Sequence, residues 1–311
     1  LFDVKHSPLI VIVGPTAVGK TRLSLHLAQE FDGEIVSADS RQVYRGMDIG
    51  TAKPTLEERR RVSHHLIDVV APDEAFTLAQ YQELAYEAID DILARGKRPF
   101  LVGGTGQYVR AVVEGWGIPR VLPNEELRAG LYRQAKVEGA EALHARLREV
   151  DPAAAQRIDP CNVRRVVRAL EVYLETGQPI SELQRKKPPP YRILRIGLTM
   201  ERQELYRRID QRVDRMIEGG LVEEVRGLVE QGYSYDLPSM SGLGYQQIGM
   251  YLRGQVSLEE AIQLIKHHTR RFVRHQYNWF RLDDEVIRWF DALSDPYGEI
   301  RELVASFLNI H

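Results

Sequence analysis

The chain contains one cysteine, Cys161, among its 311 residues. A lone thiol can neither close an internal disulfide nor build a cysteine-rich zinc site, and it suits a reducing compartment. An excess of one charge is also missing, with 42 Lys and Arg against 44 Asp and Glu. That balance excludes a surface that is basic throughout, so any nucleic acid must be met by local patches. The apolar runs are too short to cross a bilayer. The opening residues, including Asp3, Lys5 and Pro8, lack the features of a signal peptide, and a soluble cytoplasmic protein is expected. Internal repeats and low-complexity tracts are absent as well.

What the chain does have begins near its N-terminus. The apolar run Leu9–Val13 is followed by Gly14, Pro15, Thr16, Ala17, Val18, Gly19, Lys20 and Thr21, and then by a helical pattern through Leu23, Leu25 and Leu27. A strand, a GxxxxGK[ST] loop and a helix in that order make a diphosphate cradle. The glycines let backbone N–H groups turn inward, Lys20 adds a cation, the helix adds its positive end, and Thr21 offers an oxygen to magnesium. The motif reports phosphates rather than ATP as such.

Further strands are expected at Glu34–Ser37, His65–Val69, Pro99–Val102 and Ile193–Leu198, alternating with helical patterns, which favours a parallel sheet with crossover helices. Thr77 and Gln80 form a capping box for a helix that stops at Gly96. Between Gly115 and Pro190 no strand-like run occurs. Helices are expected at Leu127–Lys136, Glu141–Glu149 and Val163–Thr176, bounded by Gly115–Pro119 and by the prolines at 188–190. The reading is an α/β P-loop core, 1–115 and 191–311, with an all-helical insertion at 116–190 and a C-terminal region that is helical from Glu201 onward.

Several residues could do chemistry. Asp39 follows the second strand, at the carboxyl edge where open α/β sheets hold their ligands, so it should face the phosphate loop. It could bind magnesium through water, accept a proton, or simply cap the next turn. Gly103, Gly104 and Gly106 end the fourth strand and imply close approach by a ligand or by a neighbouring segment. Arg208 and Arg212 share a helix face, with Arg207 and Arg215 nearby, and suit a departing diphosphate. Glu204, Asp210 and Asp214 also allow an exposed ion-pair lattice there. Arg164, Arg165 and Arg168 could straddle phosphates. Lys266, Arg270 and Arg274 keep helical spacing in an acid-free stretch with Phe272, Tyr277, Trp279 and Phe280, which suits RNA better than a plain solvated face. The histidines there have no carboxylate or cysteine partner in that stretch, which argues against zinc.

Taken together the chain resembles the tRNA dimethylallyltransferases, the MiaA family, from Ile10 to about Arg281. The resemblance rests on residues 14–21, on the long string from Asp39 to Pro54, and on Val102–Tyr108. Arg165–Glu171, Gly244–Tyr245 and Thr269–Arg270 add to it. It implies transfer of a dimethylallyl group from dimethylallyl diphosphate to the adenosine 3′ of a tRNA anticodon. By position, it makes Asp39 the general base. Lys20, Thr21 and Arg212 would serve the diphosphate, with magnesium on Thr21 and residues 14–21 as the cradle. It places Asp39, Ser40, Arg41, Gln42, Thr105, Arg128, Arg164, Arg165, Val166, Val167 and Arg168 against the tRNA. Gly242, Leu243, Gly244, Tyr245, Gln246, Gln247, Arg270 and Arg274 complete that set. The helical insertion would clamp the anticodon stem-loop, and a monomer without membrane contact is expected. Two positions depart from the family pattern: Gln107 replaces a leucine and His275 replaces an arginine, which makes the second contact pH-dependent. A P-loop small-molecule kinase, a prenyltransferase acting on free AMP or ADP, and a non-catalytic nucleic-acid module are the rival readings.

Overall fold

The computed structural model describes residues 7–309. Asp3 and Lys5, which carried part of the leader argument, lie outside them. No helix among the described residues is long and apolar enough to cross a membrane.

The chain divides into two compact units, residues 1–113 with 190–311 and residues 114–189. In chain order the first unit begins β1 (Ser7–Val13), α1 (Lys20–Glu30), β2 (Gly33–Ser37), α2 (Leu56–Arg61) and β3 (His64–His65). It continues through α3 (Leu78–Ala94), β4 (Arg98–Gly103) and α4 (Gly106–Val113). The second unit carries α5 (Glu125–Glu138), α6 (Ala140–Val150), α7 (Pro152–Arg157), α8 (Val163–Thr176) and α9 (Ile180–Leu183). The first unit resumes with β5 (Tyr191–Thr199), α10 (Arg202–Glu218), α11 (Leu221–Glu230), α12 (Tyr245–Leu252) and α13 (Leu258–Trp279), then β6 (Ile287–Asp291) and α14 (Tyr297–Leu308).

All strand pairs are parallel, in the order β3-β2-β4-β1-β5-β6. β1 lies inside the sheet with both faces covered, which is why it reads as an unbroken apolar run. Ile10 and Ile12 pack into one layer of core with Leu27, Phe100 and Ile196, while Leu9, Val11 and Val13 pack into the other with Tyr81, Ile89 and Val112. The alternation follows from the two-residue period of a strand.

Two expectations about strands need correction. The third strand is only His64–His65, not His65–Val69, because Leu66 and Asp68 take positive φ values of 62° and 59° and leave the extended conformation. Asp68 turns to accept from Lys53 at 2.5 Å and Arg59 at 2.7 Å. The C-terminal region is not wholly helical either, since β6 pairs with β5 from Arg195↔Ile287 to Thr199↔Asp291. Five residues at a sheet edge, only partly buried, make a weak pattern.

In the second unit Leu131, Leu143, Leu147, Val166, Val167 and Leu170 form a separate core. Its two chain crossings are laced together, Gly117 N donating to Arg185 O at 3.0 Å and Lys187 N to Gly115 O at 2.7 Å. Gly115 has φ 60°, and a Cβ there would lie 1.7 Å from Lys187 O, so no other residue fits.

Candidate active site

The phosphate loop leaves β1 at Gly14 and enters α1 at Gly19. Gly14 (φ 147°) runs so close to β5 that a Cβ would meet Leu198 O at 2.5 Å. Lys20 Nζ folds back to donate to Gly14 O at 2.9 Å and Pro15 O at 2.8 Å, which closes the loop into a ring. α1 starts without any side-chain cap, whereas α3, α5, α8 and α13 each begin with a side chain bonded to a backbone N–H. The first N–H groups of α1 are therefore left for an anion.

The opposite wall is the end of β2. Ala38 N donates to Val102 O at 2.8 Å, Thr105 N donates to Ala38 O at 3.2 Å, and Ser40 N donates to Thr105 Oγ1 at 3.1 Å. Asp39 is thus fixed between two residues tied to the turn after β4. Its Oδ1 accepts from Arg41 N at 2.9 Å, so the turn-capping arrangement is present. The carboxylate also acts on ligand-side groups, because it attracts both Lys20 and Arg212. Burial, followed by repulsion from Arg212, pushes the Lys20 ammonium down to about 8, with Asp39 opposing. Burial likewise lowers Arg212, opposed by Asp39 and assisted by Arg215. Two cations crowded beside one carboxylate constitute a site short of negative charge. Behind Asp39, Tyr108 stacks on Tyr81 with ring centroids 3.7 Å apart, and the buried Tyr81 hydroxyl donates to Ser37 O at 3.1 Å.

The glycine turn is explained by neighbouring segments. A Cβ on Gly103 would meet Ala38 O at 2.1 Å, one on Gly104 the Gln276 amide at 2.3 Å, and one on Gly106 the Trp279 side chain at 2.2 Å. Gln276, 4% exposed, was not singled out from sequence. Its Oε1 accepts from Thr16 N at 2.8 Å and its Nε2 donates to Gly104 O at 3.0 Å.

The chain matches the model of a family described as IPP transferase over residues 42–283. The tRNA dimethylallyltransferase of Roseiflexus castenholzii is 64% identical over 88% of this chain and 90% of its own length. That of another Roseiflexus strain is 62% identical over 97% and 99%. The chain belongs to the IPP transferase family. Among solved structures, the tRNA isopentenylpyrophosphate transferase of Bacillus halodurans superposes with a TM-score of 0.72 at 45% identity, covering 97% of both chains. A eukaryotic dimethylallyltransferase acting on tRNA gives a TM-score of 0.80 at 28% identity, over 98% of this chain and 80% of the other.

Within this chain, the basic residues expected at an RNA surface divide sharply. Arg164 and Arg165 are exposed in the first turn of α8. Val166 and Val167 are 0% and 1% exposed, and their side chains belong to the core of the helical unit. Arg128 and Arg168 both bond Glu171, at 2.8 Å and 2.6 Å, and Arg168 also donates to Val121 O at 3.1 Å. The acid-free stretch on α13 is not free of acids in space. Arg270 pairs with Asp210, and Lys266 with Asp214 at 2.6 Å, both acids coming from α10. A single helix cannot reveal the charges on its neighbour. Arg274 remains exposed, as do His275 and Gln107. On α10 itself, Arg207 and Arg208 form the ion-pair lattice with Glu204 at 2.7 Å and 3.1 Å, and Arg212 is the residue that joins the site.

The Asp39–Pro54 string is held by one buried charge, that of Lys53. Lys53 donates to Asp48 at 2.6 Å, Asp68 at 2.5 Å and Tyr44 O at 2.5 Å. Arg41 donates to Pro238 O at 2.9 Å, and Gln42 accepts from Ser37 Oγ at 3.0 Å. The segment 242–247 is fixed in the same manner: Tyr245, 1% exposed, donates to Glu224 at 2.5 Å, and buried Gln247 accepts from Gly244 N at 2.9 Å. The side chains of Tyr245 and Gln247 therefore shape this wall from within, while Gln246 is exposed.

Proposed function

We propose that the protein transfers a dimethylallyl group from dimethylallyl diphosphate to the exocyclic amine of the adenosine immediately 3′ of a tRNA anticodon. The observation that carries this reading is the facing of an uncapped phosphate loop, with Lys20 and Arg212, by the Asp39 wall. Around it lies a chain closely similar to tRNA dimethylallyltransferases.

The chemistry follows from the charges. The adenine amine is a poor nucleophile because its lone pair is conjugated with the ring. The nitrogen attacks the allylic carbon, the carbon–oxygen bond to diphosphate breaks, and its electron pair leaves with the diphosphate. Asp39 takes the amine proton, which contributes about 10²–10⁴-fold. Loop N–H groups, Lys20 and Arg212 meet the growing anionic charge, and each well-placed donor is worth about 2.7–4 kcal/mol. The depressed Lys20 and Arg212 are primed for this, since an incoming diphosphate supplies the missing negative charge. The adenine must leave its stack to reach Asp39, and the helical unit with exposed Arg164 and Arg165 is suited to grip the stem-loop.

The donor set fits magnesium. Among the described residues no group of three His, Cys, Asp or Glu forms a cage. Thr21 Oγ1 would hold the ion together with phosphate oxygens and water, as magnesium prefers. It would neutralise diphosphate charge. A monomer acting in the cytoplasm belongs to the same proposal.

The test is mass spectrometry of an unmodified tRNA transcript incubated with dimethylallyl diphosphate and magnesium. The adenosine 3′ of the anticodon should gain one dimethylallyl group in place of a proton. An unmodified transcript, or transfer of a labelled γ-phosphate from ATP to a small molecule instead, overturns the reading.

A further inference from the structure

A continuous hydrogen-bonded path joins the phosphate loop to the carboxylate wall, and its centre is a side chain from neither. Thr16 N donates to Gln276 Oε1 at 2.8 Å, and Gln276 Nε2 donates to Gly104 O at 3.0 Å. The next residue, Thr105, donates through its N to Ala38 O at 3.2 Å and accepts from Ser40 N at 3.1 Å on its hydroxyl. Ala38 and Ser40 flank Asp39. Every link uses a donor and an acceptor in their proper roles, and Gln276 lies buried at the middle of the path.

We propose that Gln276 is a positioning residue that locks the phosphate loop to the Asp39 wall and so sets the spacing between diphosphate and attacking amine. The proposal rests on the prenyl-transfer reading above. Three features support a strut rather than ordinary packing. Among side chains of this length and shape, only glutamine presents both an acceptor and a neutral donor here without having to be protonated. The glycine opposite it is required, since a Cβ on Gly104 would lie 2.3 Å from its amide nitrogen. Finally, α13 delivers it from a helix distant in sequence from both walls, so neither loop can substitute for it. Displacing one reactant by about 1 Å can cost on the order of 10²-fold in rate.

The experiment compares wild type, Gln276→Leu and Gln276→Glu in full-length protein with dimethylallyl diphosphate and a tRNA transcript. Gln276→Leu should lower kcat/KM for the diphosphate about 10²-fold, with tRNA Kd within about twofold of wild type. A kcat/KM within about threefold of wild type, or an equal loss of tRNA affinity, overturns the strut. Gln276→Glu supplies a second readout that does not depend on the leucine variant folding. Its neutral carboxyl can accept from Thr16 N and donate to Gly104 O as the amide does. Its ionised form has no donor and opposes Gly104 O with negative charge, and burial raises the pH at which it ionises.

The ratio of Gln276→Glu to wild-type kcat/KM should therefore rise at least about tenfold as pH falls from about 8 to about 6. Lys20 on α1, Asp39 after β2 and Arg212 on α10 are the charged groups of the same site. They are common to both proteins and divide out of the ratio to first order. A flat ratio overturns the strut. A wild-type chain that transfers no prenyl group defeats the underlying reading, whereas an active wild type indifferent to position 276 defeats the strut alone.

Discussion

Lys20 and Arg212 beside the phosphate loop differ from Arg128 and Arg168 in the helical unit in how their charge is met. The first pair shares one partly exposed carboxylate, Asp39, and both groups are held below their ordinary pKa by burial. The second pair grips Glu171, which has no exposed side-chain surface and also accepts from Asn124 N at 2.9 Å. Burial alone would raise the Glu171 carboxyl. The bonds from Arg128 and Arg168 outweigh it and hold the group below the usual carboxylate range. Unmet positive charge at the loop awaits an anion from outside, while met charge in the helical unit ties its own helices together. For the three arginines, helical spacing in sequence does not separate the two cases, and only the partner tells them apart.

The largest effect expected from breaking this contrast is at Asp39. Asp39→Asn keeps the shape and the acceptor for Arg41 N but removes the proton acceptor and the one nearby negative charge. Single-turnover kcat should fall about 10²–10⁴-fold, while tRNA Kd stays near wild type. Full turnover in this variant would show that Asp39 only caps its turn.

Next in size is the same operation on the other region. Glu171→Gln leaves Arg128 and Arg168 without their buried counter-charge, which should destabilise the helical unit by about 3–5 kcal/mol. Hydrogen exchange across 114–189 should speed up, with the phosphate loop's amides unchanged. The wild-type pair has a pH signature of definite sign. A carboxyl depressed on folding contributes stability that is fully present above its unfolded pKa near about 4.3 and is lost as pH falls through its lower folded value. Protection of 114–189 should thus weaken on acidification below about pH 4.3. Uniform protection down to pH 3 would contradict the assignment.

The phosphate loop was legible in sequence because eight consecutive residues carry its geometry, and the long capped helices were legible because their signals are local. β6 was not, since an exposed edge strand of five residues leaves little alternation to read. The acidic partners of Arg128 and Arg270 were hidden for a different reason. Arg168 meets Glu171 within α8 itself, but Glu171 and Asp210 lie 43 and 60 residues from Arg128 and Arg270 and meet them only once helices pack. Gln276 escaped for the same reason, its bonds to Thr16 and Gly104 spanning 260 and 172 residues. An amide with no charge offers no sequence pattern of its own.

A smaller effect follows from Lys20, depressed to about 8 in the free protein. The protonated ammonium is the form that attracts diphosphate, so kcat/KM for dimethylallyl diphosphate should have an alkaline limb that falls about tenfold per unit above about pH 8. Bound diphosphate supplies the missing negative charge and favours the ammonium, so kcat should stay level to higher pH. Lys20→Arg, which cannot deprotonate in this range, should remove the alkaline limb of kcat/KM whatever its absolute rate. An unchanged limb in that variant would assign it to another group.

The smallest effect is also the one that separates the two kinds of arginine most directly. Arg165 is exposed at the start of α8, so Arg165→Ala should leave the melting temperature within about 1 °C, a surface substitution being nearly neutral. Its tRNA Kd should rise, and the slope of log Kd against log salt should shrink by about 1, the amount expected for one lost phosphate contact. Arg128→Ala should do the opposite, lowering the melting temperature while any loss of tRNA affinity keeps the wild-type salt slope, because its charge is already matched by Glu171. A common salt slope for wild type and both variants, with Arg165→Ala binding as tightly as wild type, would remove α8 from the RNA surface. A reduced slope for Arg128→Ala would mean that the Glu171 pair opens to let a phosphate in.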